Sequence, residues 1–185
     1  MATNNGKRFE QNIKASCEKQ AILFERFIDG NKWGGGGVDT IRFTPDSPCD
    51  GFIYWNGRLV YLELKTACTG SISFNNPPDI QDRTKAKPSI KAHQVKTLLN
   101  RKEFDGVEAG LLVEFSDRET KTQTIAGGTF YIDIGDFFLW AVHSGKKSMN
   151  VKDAELIGLP VSKKLKKVNA DYDIERMLKA ILDKI

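Results

Sequence analysis

Hydrophobic residues recur along this chain with two periods, and together these predict an ordered series of helices and strands. A period near 3.6 residues predicts a first helix over 6–20, with Phe9, Ile13 and Cys17 on one face. The same period predicts helices over Pro88–Leu99, Asp136–Val142, Val151–Ile157 and Asp171–Ile185. Apolar runs bounded by turn residues predict strands over Cys49–Trp55, Arg58–Thr66, Val107–Phe115 and Gly128–Ile134. The segment 21–28 fits either a helix or a strand.

Two segments between these elements predict loops. Gly34–Gly37 cannot hold regular structure cheaply, and residues 69–87 are polar and contain Pro77-Pro78. The order helix, strands, helix, strands, helices predicts an α/β fold with a mixed central sheet flanked by helices on both sides. A length of 185 residues predicts one domain over 1–185.

The dipeptide Asn56-Gly57 between the first two strands is the strongest short-range signal for a hairpin. Counting outward from a two-residue turn places Asp50 opposite Glu63, and such residues share one face with Cβ atoms about 4.5–5.5 Å apart. Lys65 lies on that face because side chains alternate with period two. Opposed carboxylates destabilise a sheet unless a cation such as Mg²⁺ binds them. The alternative is a surface Asp–Glu pair with Lys65 as ion partner, and a bulge would remove the juxtaposition.

The overall charge is mildly basic. A net charge of +4 and a sequence pI of about 8.9 are compatible with a polyanionic partner. Basic residues cluster at Lys7–Arg8, Lys85–Lys87–Lys91, Lys146–Lys147 and Lys163–Lys164–Lys166–Lys167. Each cluster alone fits a solvated surface equally well, but several clusters beside a carboxylate site favour phosphate binding.

The cysteines and the apolar runs indicate the compartment. Cys17, Cys49 and Cys68 have no CxxC spacing, which indicates reduced thiols in an intracellular protein, and only two histidines make a zinc site unexpected. No apolar run approaches the roughly 20 residues that span a bilayer, and the polar start lacks a signal peptide. We expect no membrane association and a cytoplasmic location, which is the host cytoplasm if the gene is viral.

The segment Pro48-Cys49-Asp50, the hairpin and Glu63-Leu64-Lys65 resemble the motif of PD-(D/E)XK nucleases. The wider pattern resembles RecU-type Holliday junction resolvases through Asp50–Arg58, Leu62–Thr66, His93-Gln94, Gly128–Tyr131, Phe137–Trp140 and Lys146–Ser148. The resemblance covers most of residues 48–185 and implies a restriction-endonuclease-like core. The chain departs from this family in the short interval between Gly30 and Pro48, where RecU-type enzymes carry a long stalk that enters the junction.

The resemblance implies a structure-selective endodeoxyribonuclease that resolves four-way DNA junctions with Mg²⁺, which Mn²⁺ could replace. The site residues that it implies are Asp50, Glu63, Lys65, Gln94 and Glu10, with Asp50, Glu63, Glu10 and the Leu64 carbonyl as metal ligands. Lys65 would orient or activate the attacking water, and Gln94 would lie near the scissile phosphate. The alternatives are an exposed helix residue for Glu10 and an ordinary polar residue for Gln94.

Branched DNA is the expected partner of a symmetric homodimer, because a two-fold dimer presents two sites for paired cuts. The expected DNA contacts are Lys7, Arg8, Lys87, Lys91, Lys163 and Lys164. On a helical wheel Lys87, Lys91 and Gln94 lie side by side, whereas His93 projects to solvent. The alternatives are a PD-(D/E)XK endonuclease acting on flaps, nicks or duplex, and a non-catalytic DNA-binding protein on the same scaffold.

Overall fold

The computed structural model describes residues 5–27, 47–81, 87–120 and 122–184. The helices are α1 (Asn5–Lys19), α2 (Ala92–Lys102), α3 (Ile134–Ser144), α4 (Val151–Ile157) and α5 (Ile174–Leu182). The strands are β1 (Leu23–Arg26), β2 (Gly51–Trp55), β3 (Arg58–Ala67), β4 (Ser71–Ser73), β5 (Val107–Phe115), β6 (Arg118–Glu119), β7 (Thr124–Ile125), β8 (Gly128–Asp133), β9 (Ser148–Asn150), β10 (Leu159–Pro160), β11 (Lys163–Leu165) and β12 (Ala170–Tyr172). The predicted loop at Gly34–Gly37 lies outside the described residues.

Six strands form one mixed sheet in the order β1-β2-β3-β5-β8-β10. β3 and β5 are parallel, and the other neighbours in this sheet are antiparallel. A parallel pair needs a crossover, which α2 supplies between β3 and β5. The predicted fold class, an α/β fold with a mixed central sheet flanked by helices, is confirmed.

Side chains of β3 alternate between two hydrophobic cores on opposite faces of the sheet. Val60, Leu62 and Leu64 join the residues of α1 and α5, and we call this the α1 face. Tyr61 and Ala67 join the residues of α2 and α3 on the other side, which we call the α2 face. Glu63 and Lys65 have the same parity as Tyr61 and therefore belong to the α2 face.

The hairpin has the predicted register. The turn residues Asn56 and Gly57 have φ of 48° and 77°, as a type I′ turn requires. The ladder runs without a bulge from Trp55 opposite Arg58 to Gly51 opposite Leu62. Asp50 is the next residue outward, so it lies at the position that faces Glu63.

Several predicted boundaries and one predicted loop are wrong. The open segment 21–28 contains β1, and the polar segment 69–87 contains β4, which pairs with β9 and buries Ile72. Pro88 does not start the second predicted helix, because that helix begins after the N-cap residue Lys91. Within the described residues no helix is long and apolar enough to cross a membrane.

Candidate active site

Glu63 is a buried carboxylate in the middle of the sheet. Its exposure is 0%, and its Oε1 accepts hydrogen bonds from Lys65 Nζ and Gln94 Nε2. Its other oxygen, Oε2, is buried without a hydrogen-bond partner among the described residues. An ionised carboxylate in this position is costly unless a further positive group binds it.

Asp50 is held beside Glu63 by backbone contacts on both sides. Its Oδ2 accepts from the Leu64 amide at 2.7 Å, and its carbonyl accepts from the Phe27 amide at 3.0 Å. The next residue, Gly51, allows β1 to approach, because a Cβ there would lie 2.5 Å from the Glu25 carbonyl oxygen. The close packing of β1 on β2 thus fixes the backbone that carries Asp50.

Gln94 connects the start of α2 to the carboxylate. Its Oε1 accepts from the backbone amide of the N-cap residue Lys91 at 2.9 Å, while its Nε2 donates to Glu63. Asn75 supports the same helix end by accepting from the Ala92 amide at 3.1 Å. The Gln94 side chain is therefore fixed at both of its polar atoms.

A cavity of about 230 Å³ opens over these groups. It is lined by Ser47, Cys49, Asp50, Glu63, Lys65, Lys91, His93 and Gln94. The structure thus brings together four predicted site residues with Lys91, the predicted DNA contact. His93 was expected to face solvent, and that prediction is wrong, because the first turn of α2 places it half-buried at the cavity wall.

Burial raises the pKa of Glu63 to about 7; the Lys65 ammonium opposes this rise and the Asp50 carboxylate adds to it. Burial also raises the pKa of the Cys49 thiol to about 12, so this thiol is protonated at neutral pH. A neutral thiol is a poor metal ligand, since metals bind the thiolate. The groups left at the cavity that could bind a metal are therefore oxygen atoms and the His93 ring. Lys65 and Lys91 can only donate hydrogen bonds there.

Glu10 lies near the cavity without lining it. Its Oε2 is 2.9 Å from Arg26 Nη2 in an ion pair. Burial raises the pKa of Glu10, and of the nearby charges Arg26 lowers it, Asp50 raises it and Lys65 lowers it. Glu10 is close enough for the charges of Asp50 and Lys65 to change its pKa. Its role as a metal ligand stays a prediction.

The groups at the cavity fit a small, hard cation. Asp50 and Glu63 present carboxylate oxygens to it, and Glu63 Oε2 has no hydrogen-bond partner among the described residues. The Leu64 carbonyl as a further ligand stays a prediction. No group of three or more His, Cys, Asp or Glu side chains that could hold a metal occurs in the described part of the chain. Mg²⁺ suits such an incomplete set, because it usually keeps several waters and binds one or two carboxylates together with substrate phosphates.

The predicted DNA contacts are spread over both faces of the sheet. Lys91 lines the cavity, but Lys87 precedes α2 and is exposed, so the predicted helical row of Lys87, Lys91 and Gln94 is wrong. Lys163 pairs with Glu114 at 3.1 Å, and Glu114 has the parity of Leu112, on the α1 face. Lys164 is the next residue of β11, which pairs with β12.

Two more of the predicted DNA contacts, Lys7 and Arg8, lie in the first turns of α1, the helix that packs on the α1 face of the sheet. Arg8 donates to Asn5 Oδ1 at 3.2 Å. The charge of Lys7 lowers the pKa of Glu10, so these two side chains are close enough to interact. DNA binding by these residues stays a prediction.

Comparisons with known proteins show similarity to a curated protein and to solved structures. No protein-family model matches the sequence. The SPbeta prophage-derived uncharacterized protein YotM of Bacillus subtilis (strain 168) is 27% identical over 198 residues, which cover 99% of this chain and 89% of that protein. The structure of Archaeoglobus fulgidus Hjc, a Holliday junction resolvase, matches with a TM-score of 0.48 and 16% identity over 84% of this chain and 95% of that one. Neither likeness by itself assigns an activity.

Proposed function

We propose that this chain is a Mg²⁺-dependent endodeoxyribonuclease that resolves four-way DNA junctions. The observation that carries the proposal is the buried Glu63, whose Oε2 has no hydrogen-bond partner among the described residues, beside Asp50 and Lys65. A chain built for stability alone would not bury this carboxylate with an unsatisfied oxygen. The resemblance of the hairpin motif to PD-(D/E)XK nucleases supports the same reading.

Asp50, Glu63 and the Leu64 carbonyl would hold the metal. Bound there, Mg²⁺ would lower the pKa of a coordinated water and neutralise charge on the phosphate. Lys65 would donate from Nζ to the phosphate oxygens or to the attacking water, where negative charge develops in the transition state. Gln94 would position Glu63, because its amide is anchored to the Lys91 backbone and donates to the carboxylate.

Junctions are proposed as the substrate on the strength of the RecU-type pattern in the sequence. Paired cuts in a junction need two active sites related by a two-fold axis, so a homodimer is part of the proposal. The prophage origin of the relative YotM agrees with a gene of a phage or mobile element.

The test is cleavage of a matched panel: a four-way junction, a flap, a nicked duplex and a linear duplex of the same sequence. We expect junction cleavage with Mg²⁺ or Mn²⁺ and none with Ca²⁺ or chelator. Asp50→Asn and Glu63→Gln should abolish cutting while DNA binding is kept, and Glu108→Gln, at a buried carboxylate away from the cavity, should cut normally. Full activity in both site variants would refute the nuclease assignment.

The same panel separates the substrates. If the protein is a monomer by light scattering and cuts every substrate equally, the nuclease assignment stands and the resolvase assignment is refuted. DNA binding without cutting under any metal would favour the non-catalytic alternative.

A further inference from the structure

An aromatic cluster continues the row of site residues along the α2 face of the sheet. Phe52 follows Asp50 by two residues on β2, and Tyr61 precedes Glu63 by two residues on β3, so these rings share the face of the carboxylates. Phe52 and Tyr61 lie opposite each other, with ring centroids 6.1 Å apart. Phe27 completes the cluster at 5.6 Å from Phe52 and 6.2 Å from Tyr61.

The cluster ends in a half-exposed surface at the edge of the sheet. Tyr54 is the next residue of β2 on this face, and it is 49% exposed. Leu23 lies opposite Tyr54 on β1 and is also 49% exposed. At about 3.3 Å per residue, Tyr54 is roughly 13 Å from Asp50 along the strand. We call Phe27, Phe52, Tyr54 and Tyr61 the aromatic patch.

A positive charge lies at this patch. The Arg101 guanidinium, in the last turn of α2, is 5.7 Å from the centroid of the Tyr61 ring. Arginine stacked on an aromatic ring is a common partner for nucleic acid, because it contacts both phosphate and base. Its position beside the rings makes an anionic strand with aromatic bases the complementary ligand.

The exposed area suits a small occupant better than a second subunit. A large side chain buries roughly 150–250 Å², so the half-exposed Tyr54 and Leu23 together offer about 200 Å². A stable protein interface needs about 800 Å² from each partner. One or two unpaired bases match the available area and the ring chemistry.

We propose that the aromatic patch, through Tyr54, stacks an unpaired nucleobase close to the scissile phosphate. The proposal rests on the proposed nuclease function for the position of that phosphate. Branched DNA has bases near the branch point that can leave the stack, whereas a linear duplex does not. Stacking of such a base would therefore contribute to the choice of branched over linear DNA.

The experiment is a double-mutant cycle between the Tyr54 ring and a base of the DNA. The quantity measured is the Kd for a four-way junction in Ca²⁺, so that no strand is cut. Abasic sites are placed one at a time at the nucleotides around the branch point. With the wild type and Tyr54→Phe, we expect an abasic site at one or two positions to weaken binding about tenfold, the value of one stacked base. With Tyr54→Ala, the same abasic sites should cost less than about twofold, because the partner ring is gone.

Leu139→Ala, which alters a similarly exposed apolar residue on α3, is the control and should behave as the wild type. Equal losses with Tyr54→Ala and the wild type at every position would overturn the stacking proposal. So would a shift from dimer to monomer on Tyr54→Ala without DNA, because the patch would then be a subunit interface.

Cleavage in Mg²⁺ is scored separately. If the Tyr54 ring and a base are coupled in binding but no strand is cut, only the proposed nuclease function is refuted. If strands are cut but no such coupling is found, only the stacking proposal is refuted.

Discussion

In the absence of metal, Glu63→Gln should stabilise the folded protein at pH 8. The Glu63 carboxyl has a pKa of about 7 in the folded state against an ordinary value of 4.5. Between these values the folded protein binds more protons than the unfolded chain, so its stability falls as the pH rises through this interval. Above pH 7 the ionised Glu63 costs about 3 kcal/mol. Glutamine keeps an oxygen that can accept from Lys65 and Gln94, but it carries no charge.

Urea unfolding in chelator at pH 5 and pH 8 measures this difference. At pH 8 the variant should gain about 3 kcal/mol, or roughly 6–12 °C in Tm for a chain of this size, and at pH 5 the gain should fall below about 1 kcal/mol. Mg²⁺ at about 100 times its Kd should add about 2.7 kcal/mol to the wild type only. A variant less stable than the wild type at pH 8 would refute the reasoning, because Lys65 would then more than offset the burial of the charge.

A buried carboxylate with ordinary partners is the matched control for this experiment. Glu108 is 7% exposed and lies 3.7 Å from both Arg58 and Lys102. Glu108→Gln should destabilise the protein at pH 8, because it removes the charge that these two cations face. A gain of stability in both variants would indicate that charge removal, and not the Glu63 environment, is responsible.

Three further predictions concern the site and its surroundings. Lys65→Ala should lower the cleavage rate by about 10²–10³-fold with an unchanged Kd for DNA, measured by single-turnover cleavage and by titration; a large loss of affinity would contradict it. Lys91→Ala should reduce the slope of log Kd against log salt by about 0.9 on duplex DNA, while the exposed Lys147→Ala should not. Gly51→Ala should cost about 1–3 kcal/mol in urea unfolding and lower activity, because its Cβ would lie 2.5 Å from a β1 carbonyl. Gly135→Ala, whose Cβ would meet only a side-chain oxygen at 3.1 Å, is its control.

Local signals were sufficient to predict the hairpin. Asn56-Gly57 specifies both the turn type and its length, and a turn of fixed length sets the register of every residue outward from it. Asp50, Glu63 and Lys65 could therefore be placed together from spacing alone. β5 and α4 were predicted with their observed bounds, because a continuous apolar run marks β5 and a helical period marks α4.

Contacts between distant segments could not be predicted in this way. β4 has three residues and pairs with β9 more than 70 residues later, so no local sequence pattern predicts this strand. Gln94 illustrates the same limit at the site. Its side chain accepts from the Lys91 amide, which makes Lys91 the N-cap and delays the start of α2. That cap also turns His93 towards the cavity, which a helical wheel begun at Pro88 could not indicate.

The crossover topology accounts for the order of chemical groups along β3. A helix that joins two parallel neighbouring strands returns antiparallel to them, so α2 begins near the carboxyl end of β3 and ends near its start. Its first turn accordingly meets Glu63 through Gln94, and its last turn meets Tyr61 through Arg101. The positive end of the helix dipole then lies beside the Glu63 carboxylate. One connection thus places the carboxylate cavity and the aromatic patch side by side on the same face of the sheet.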